Sequence, residues 1–207
     1  MEHLLDVYRR PYDPRHPVVC MDESPRQLIK ETRSPIPGAR GCPKRYDYEY
    51  ERCGVCNVFM ANEPLAGKRM TKVTERKTKC DWAEFVRQLA NRYKKADKIT
   101  LVLDNLSTHK PGSLYEAFPP DEAKRICDRM EFVYTPKHGS WLNMAEIELN
   151  VLIAQCLNRR IGSLQEVARE VSAWQNRRDN LKAKVNWQFT YQDARIKLRR
   201  LYPTLDE

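Results

Sequence analysis

The sequence predicts a mixed α/β domain, a five-stranded sheet flanked by helices, and three observations carry that reading. Compact apolar runs bounded by turn-prone residues recur before residue 135, as buried strands do. From Asp81 the apolar residues shift to a helical period, then return to a strand-like run at Ile99. Beyond residue 140 the pattern is helical.

Taken in order, residues 1–17 are rich in Pro, Tyr and Arg and read as an extended lead-in. Val18-Val19-Cys20-Met21 is a short apolar strand that ends at Asp22-Glu23. Three prolines and two glycines within 33–47 predict a loop. Residues 48–60 and 69–74 follow as a strand meander, turning around Pro64 and Gly67. Trp82, Phe85, Val86, Leu89, Ala90 and Tyr93 recur at helical spacing, and residues 99–103 form another buried strand ending in Asp104-Asn105. Strand, helix and strand in succession suggest a crossover with parallel pairing.

The stretch 111–120 is broken by proline and glycine, and a short helix over 121–128 precedes a strand at 131–134. After a polar turn at 136–140, a helix starts near Leu142 or Asn143 and runs to about residue 157. Ser163 opens the next, with Glu166 three positions on as a capping box. Leu164, Val167, Ala168, Val171 and Trp174 form its apolar stripe, leaving Arg169, Arg177 and Arg178 for solvent or a polyanion. From Lys182 the chain is basic and aperiodic. The expected organisation is a lead-in over 1–17, one domain over 18–180 and a basic tail over 181–207.

Composition narrows the function. With 41% hydrophobic and 31% charged residues, the chain is globular rather than disordered. No apolar stretch spans a bilayer and no signal peptide is legible, so a cytoplasmic protein is expected. Lysine and arginine total 37 against 28 acidic residues, a net +9 that favours a polyanionic partner. The seven cysteines are expected to be reduced. Cys53 and Cys56, with Cys42 upstream, lack the second pair of a zinc site and read as small strand hydrophobes.

The chemistry rests on acids. Asp22 and Asp104 each follow an apolar strand; if those strands are parallel neighbours, both carboxylates reach one rim of the sheet. Close carboxylates repel and call for a neutralising hard cation with oxygen ligands. Glu146 supplies a third from the helix after the 136–140 turn, on a polar stripe with Asn143 and Asn150. Met144, Ile147, Val151 and Ala154 are expected to face the core. Glu148 points elsewhere, and Glu148→Gln is expected to have little effect on cleavage. Each acid also has an ordinary reading: an aspartate after a strand commonly caps a turn, and a glutamate in a first helical turn suits the helix dipole. His109 taken alone reads as a loop histidine.

Together the segments are more specific. Cys20-Met21-Asp22-Glu23-Ser24, Leu101-Val102-Leu103-Asp104-Asn105-Leu106-Ser107-Thr108-His109 and Ser140-Trp141-Leu142-Asn143-Met144-Ala145-Glu146 resemble the three catalytic blocks of IS630-family transposases. That family lies in the Tc1/mariner superfamily of DDE enzymes, and the resemblance covers nearly the whole chain. It implies an RNase H-like fold, which the element order also allows. It implies Asp22, Asp104 and Glu146 as a catalytic triad holding two Mg2+ ions, with Mn2+ as a substitute and Asp22 bridging both. His109, Asn105, Trp141 and Asn143 match motif positions that shape the site or contact DNA. The implied partners are double-stranded DNA, as transposon ends and target, and a second copy in a homodimer at the nucleoid.

Two features depart from the family pattern. Its members usually carry helix-turn-helix modules ahead of the catalytic domain, whereas this chain starts almost at the first catalytic strand. A truncated gene, one product of a split frame or a separate catalytic part would each account for that. The step from Asp104 to Glu146, 146 − 104 = 42 positions, is wider than the usual compact spacing, and 111–120 with the helix after it absorbs the difference. Two other readings stand beside strand transfer: a non-catalytic remnant that binds DNA or regulates a full-length transposase, and an RNase H-like nuclease acting on RNA–DNA hybrids.

Overall fold

The computed structural model describes residues 1–137 and 139–202. His138 of the third block and the last five positions of the tail lie outside the described residues. Five strands form one sheet: β1 (Val18–Glu31), β2 (Tyr50–Glu63), β3 (Lys68–Thr74), β4 (Ile99–Leu103) and β5 (Met130–Tyr134), in the order β3-β2-β1-β4-β5. The meander β1–β2–β3 is antiparallel; β4 joins β1 in parallel, and β5 joins β4 in parallel. This is the expected mixed sheet of an RNase H-like fold. The crossover differs from expectation, because the helix after β3 delivers β4 to β1, two strands away.

Helices cover both faces. α2 (Lys79–Arg92), α3 (Pro111–Ala117) and α4 (Pro120–Asp128) pack Trp82, Phe85, Val86, Leu114 and Ile126 against Val19, Met21, Phe59 and Leu101. On the other face α5 (Met144–Leu152) and α6 (Leu164–Asn180) cover Leu28, Cys56, Val58 and Met60. α1 (Glu2–Tyr8) and α7 (Tyr191–Lys197) cover Cys20, Val102 and Val133. Strand alternation assigns the sides: Val19 and Met21 face α2, whereas Cys20 and Asp22 face α1 and α5.

Several expectations need correction. β1 does not stop at Asp22 but runs on to Glu31, because β2 keeps pairing with it along its whole outer stretch. Residues 2–8 are not extended: their apolar residues Leu4, Leu5 and Val7 are buried in the core. The basic tail contains α7, started by a reciprocal Thr190–Asp193 capping box and tied back to α1 by Arg195 on Glu2. Residues 111–117 are helical, since Pro111 sits at the first turn, where its missing N–H costs nothing. On α5 the inward face carries Ala145, Glu148 and Leu149, while Ile147 and, in the π-helical turn beyond it, Ala154 are exposed. Ser163 caps α6 by accepting from the Glu166 N–H. Of the C-x-x-C pair only Cys56 is buried; Cys53 and Cys42 are exposed, and all seven thiols are free.

Candidate active site

The rim forms where the parallel pairing of β1 and β4 ends. Its last pair is Cys20 with Val102, so Asp22 and Asp104 each stand two residues further on, side by side. The third acid arrives by a side-chain tether. Asn143, fully buried, donates from Nδ2 to the Met21 carbonyl at 2.8 Å and accepts the Ala145 N–H on Oδ1 at 3.1 Å. One side chain therefore caps α5 and pins its N-terminus to the residue before Asp22, which puts Glu146 in the first turn facing the rim. The expected polar stripe is corrected accordingly: Asn143 turns inward, Glu146 is half-buried and Asn150 is exposed. Tyr8 of α1 donates its hydroxyl proton to the Leu142 carbonyl at 2.7 Å, bracing the same junction.

Each aspartate has one committed oxygen. Asp22 Oδ1 accepts the Glu23 N–H at 2.8 Å. Asp104 Oδ1 accepts from the Leu106 N–H at 3.1 Å and lies 2.6 Å from His109 Nδ1. Among the described residues, neither Oδ2 atom has a hydrogen-bond partner. Burial pushes the Asp22 carboxyl up to about 7, with Glu23, Asp104 and Glu146 adding repulsion against the helpful Glu23 N–H. His109 acts in the opposite sense on Asp104 and holds it below the usual carboxylate range.

His109 is no surface histidine. It is fully buried, stacked on Trp82 at 5.8 Å between ring centroids, and flanked by Asp104 and Glu23. Its Nε2 lies 3.0 Å from Glu23 Oε2, within ion-pair reach but off the hydrogen-bond line, so neither atom has an aligned partner. Burial opposes its charge, yet the two carboxylates prevail and raise its pKa to about 9. Lys77 reaches the other Glu23 oxygen at 3.5 Å. Glu23 and Lys77 were not singled out by sequence reasoning; adjacency to Asp22 was the available signal for the first, and none existed for the second.

The other motif residues divide by role. Asn105 donates from its side chain to the Thr135 carbonyl and joins the ends of β4 and β5. Trp141 is half exposed, edge-on to Phe189. Glu148, the rejected glutamate, is buried between Arg69 (Nε to Oε2, 2.8 Å) and Arg178 (Nη2 to Oε1, 2.7 Å). A cavity of about 590 Å3 between residues 154–159 and α6 includes none of the three acids. They stand on an open rim that suits a polymer better than an enclosed small molecule.

Among the described residues, no three His, Cys, Asp or Glu side chains converge tightly enough to form a complete cation cage. The donor set still fits magnesium, which takes one or two carboxylates and fills its shell with water and substrate phosphate. A rim where a buried aspartate stands beside two more carboxylates is what such an ion neutralises.

No curated protein matches the chain. A solved structure described as the Mos1 transposase paired-end complex with left transposon end superposes with a TM-score of 0.58 at 15% identity, covering 89% of this chain and 53% of that one. At that identity the likeness is one of fold, and the chain spans about half the length of the Mos1 chain. A family model for DDE superfamily endonucleases matches residues 17–168, a stretch that holds Asp22, Asp104 and Glu146. The chain belongs to the DDE superfamily endonucleases.

Proposed function

We propose that this domain is the catalytic part of an IS630-type transposase, which cuts and joins DNA strands with divalent cations held by Asp22, Asp104 and Glu146. The observation that carries the reading is the unbalanced negative charge of the rim, with Asp22 pushed up to about 7 beside Asp104 and Glu146. Magnesium, or manganese in its place, would there polarise the scissile phosphate and favour in-line attack by water or a DNA 3′-hydroxyl. The chain's own residues prepare that geometry. Asp22 and Asp104 offer their Oδ2 atoms, His109 with the Leu106 N–H fixes the Asp104 carboxylate, and Asn143 holds the helix that presents Glu146.

Double-stranded DNA is the substrate this reading requires. The net +9 charge and the open rim support it, as does the bound transposon end named for the Mos1 complex. Two copies acting together at the nucleoid, on one transposon end each, complete the proposal. The residues 18–180 form its catalytic unit, with α1 and α7 as buttresses. No helix among the described residues is long and apolar enough to cross a membrane.

The test is nicking of supercoiled DNA and strand transfer of a pre-cut duplex in Mg2+ or Mn2+, beside Asp104→Asn. Activity lost in the variant is expected. Equal activity in both, or cleavage confined to RNA–DNA hybrids, overturns the transposase reading; a folded, cation-binding but inert protein favours the remnant.

A further inference from the structure

The two lips of the rim differ in charge. On the side of α5 stands Glu146. On the side of α2 stands the turn that joins β3 to α2, where residues 72–80 carry Lys72, Arg76, Lys77 and Lys79 against Glu75 alone. Strand pairing brings that turn to the rim. Pro25 of β1 faces Asn57 of β2, and Asn57 faces Thr74, the last residue of β3, so the chain leaves the sheet just past the level of Asp22. Glu23, next to Asp22, leaves the opposite face of β1 and meets the turn there: Lys77 Nζ lies 3.5 Å from its Oε1. Its Oε2 lies 3.0 Å from His109 Nε2, and His109 Nδ1 lies 2.6 Å from Asp104 Oδ1. Lys77, Glu23, His109 and Asp104 thus form one line into the rim. Asp104 is held low chiefly by His109, and Lys77 adds a smaller share.

Lys77 is both anchored and open. On one side the Thr74 hydroxyl donates to the Arg76 carbonyl at 2.5 Å; on the other, the reciprocal Thr78–Asp81 capping box starts α2. The backbone that carries Lys77 is therefore tied at both ends. Its side chain is 45% exposed, and its one ion pair among the described residues is the long contact to Glu23. An ion pair of that length and exposure adds little to stability, and it leaves ammonium donors for a further acceptor. Lys79, two residues on, is committed instead to Glu116 at 2.6 Å.

We propose that Lys77 is a phosphate-binding residue of the rim, donating from Nζ to one backbone phosphate of the DNA strand that lies across Asp22 and Asp104. The proposal rests on the DNA reading above but not on cleavage. Lys77 reaches solvent directly, so a phosphate at the open rim meets it without any rearrangement of the fold. The opposite signs of the two lips then orient the strand. Glu146 repels the backbone on the α5 side unless a cation intervenes, and Lys77 attracts it on the α2 side.

The test measures binding of the full chain to a fluorescent duplex over a range of KCl without divalent cation, and Mn2+ affinity separately by calorimetry without DNA. Lys77→Gln is expected to weaken DNA binding several-fold and to reduce the slope of log K against log salt by about 0.9, one phosphate contact. Its Mn2+ affinity and melting temperature should equal those of the parent, and Lys77→Arg should recover most of the slope. Lys95→Gln, past the far end of α2 and about 20 Å away along the helix, controls for net charge and should leave the slope unchanged. Unchanged affinity and slope in Lys77→Gln overturns the proposal, and an equal fall in Lys95→Gln reduces it to bulk charge. A fall in Mn2+ affinity at constant DNA slope also overturns it, and would make Lys77 a brace for Glu23 and His109. If the parent binds and cuts DNA and Lys77→Gln matches it, the proposal fails alone; if the parent binds no DNA, the DNA reading fails with it. A slope change in a protein that never cleaves DNA keeps the proposal and removes only the catalytic reading.

Discussion

α5 carries two glutamates in opposite electrostatic circumstances. Glu148 faces inward and is matched twice over: Arg69 and Arg178 hold one oxygen each, and Arg69, itself fully buried, also donates to the carbonyls of Gly67 and Ala183. Glu146, two residues earlier, faces a rim where carboxylates outnumber cations and Asp22 is driven up by burial, with its acidic neighbours adding to the rise. Charges that a fold buries for its own stability are balanced internally, whereas charges kept for a ligand are left unbalanced.

The largest expected effect tests the unbalanced side. Asp22→Asn and Asp104→Asn should reduce DNA nicking to background while the circular-dichroism spectrum stays that of a folded protein; activity in either variant would break the comparison. Next comes the balanced side. Arg69→Met strands Glu148 with Arg178 alone and should cost about 3–5 kcal/mol in denaturant unfolding. Glu148→Gln, leaving buried Arg69 with Asp179 alone at 3.6 Å and partly buried Arg178 without its carboxylate, should also be clearly destabilising. The double variant Arg69→Met/Glu148→Leu should recover part of the loss; strict additivity would show that the pair does not act as a unit.

His109 sharpens the picture at smaller scale. His109→Asn keeps an amide donor near the Nδ1 position facing Asp104, and His109→Gln shifts it toward Glu23. If orientation of Asp104 is what His109 contributes, calorimetric Mn2+ affinity should fall by about 10–100-fold in His109→Ala and be better preserved by Asn than by Gln. Equal losses in the three would reduce His109 to packing beneath Trp82. The smallest effect lies at the opposite end of β4 and β5 from the rim, where Arg10 bonds Glu131 and draws its pKa from 4.5 to about 2, burial opposing and Thr100 assisting. A lowered carboxyl stabilises the fold fully above pH 4.5, and that contribution is lost as the pH falls toward 2. The pair is partly exposed, so Arg10→Ala should flatten the acid limb of a melting-temperature profile by less than about 1 kcal/mol. An unchanged profile would show that the pair adds nothing.

How far the sequence reveals this molecule follows from which interactions are local. Strands β4 and β5, the helical period of α2 and the apolar stripe of α6 come from spacing within one segment, and they fall where periodicity expects them. The positions of Asp22 and Asp104 beyond apolar runs are local too, and their meeting follows from one parallel pairing. The burial of α1 is not local, because the amphipathic signal in seven residues is weak and its partners, Cys20, Val102 and Ala145, are distant in the chain. The surroundings of Glu148 are hidden for the same reason. Its spacing says only that it leaves α5 on another side from Glu146, and the arginines that make that side an interior arrive from β3 and α6. The link from Asn143 to Met21 spans 122 positions and cannot be read from either end alone.

The central claim, that the excess charge at Asp22, Asp104 and Glu146 awaits a cation, is tested most directly by thermal melting with and without Mn2+. The parent protein should gain stability as Mn2+ is added, because the ion relieves the repulsion at the rim. Asp22→Asn should melt higher than the parent in the absence of cation and show little further gain in its presence. Equal Mn2+ responses in both proteins, or none in either, would contradict the account and leave the carboxylates as ordinary polar groups at a strand end.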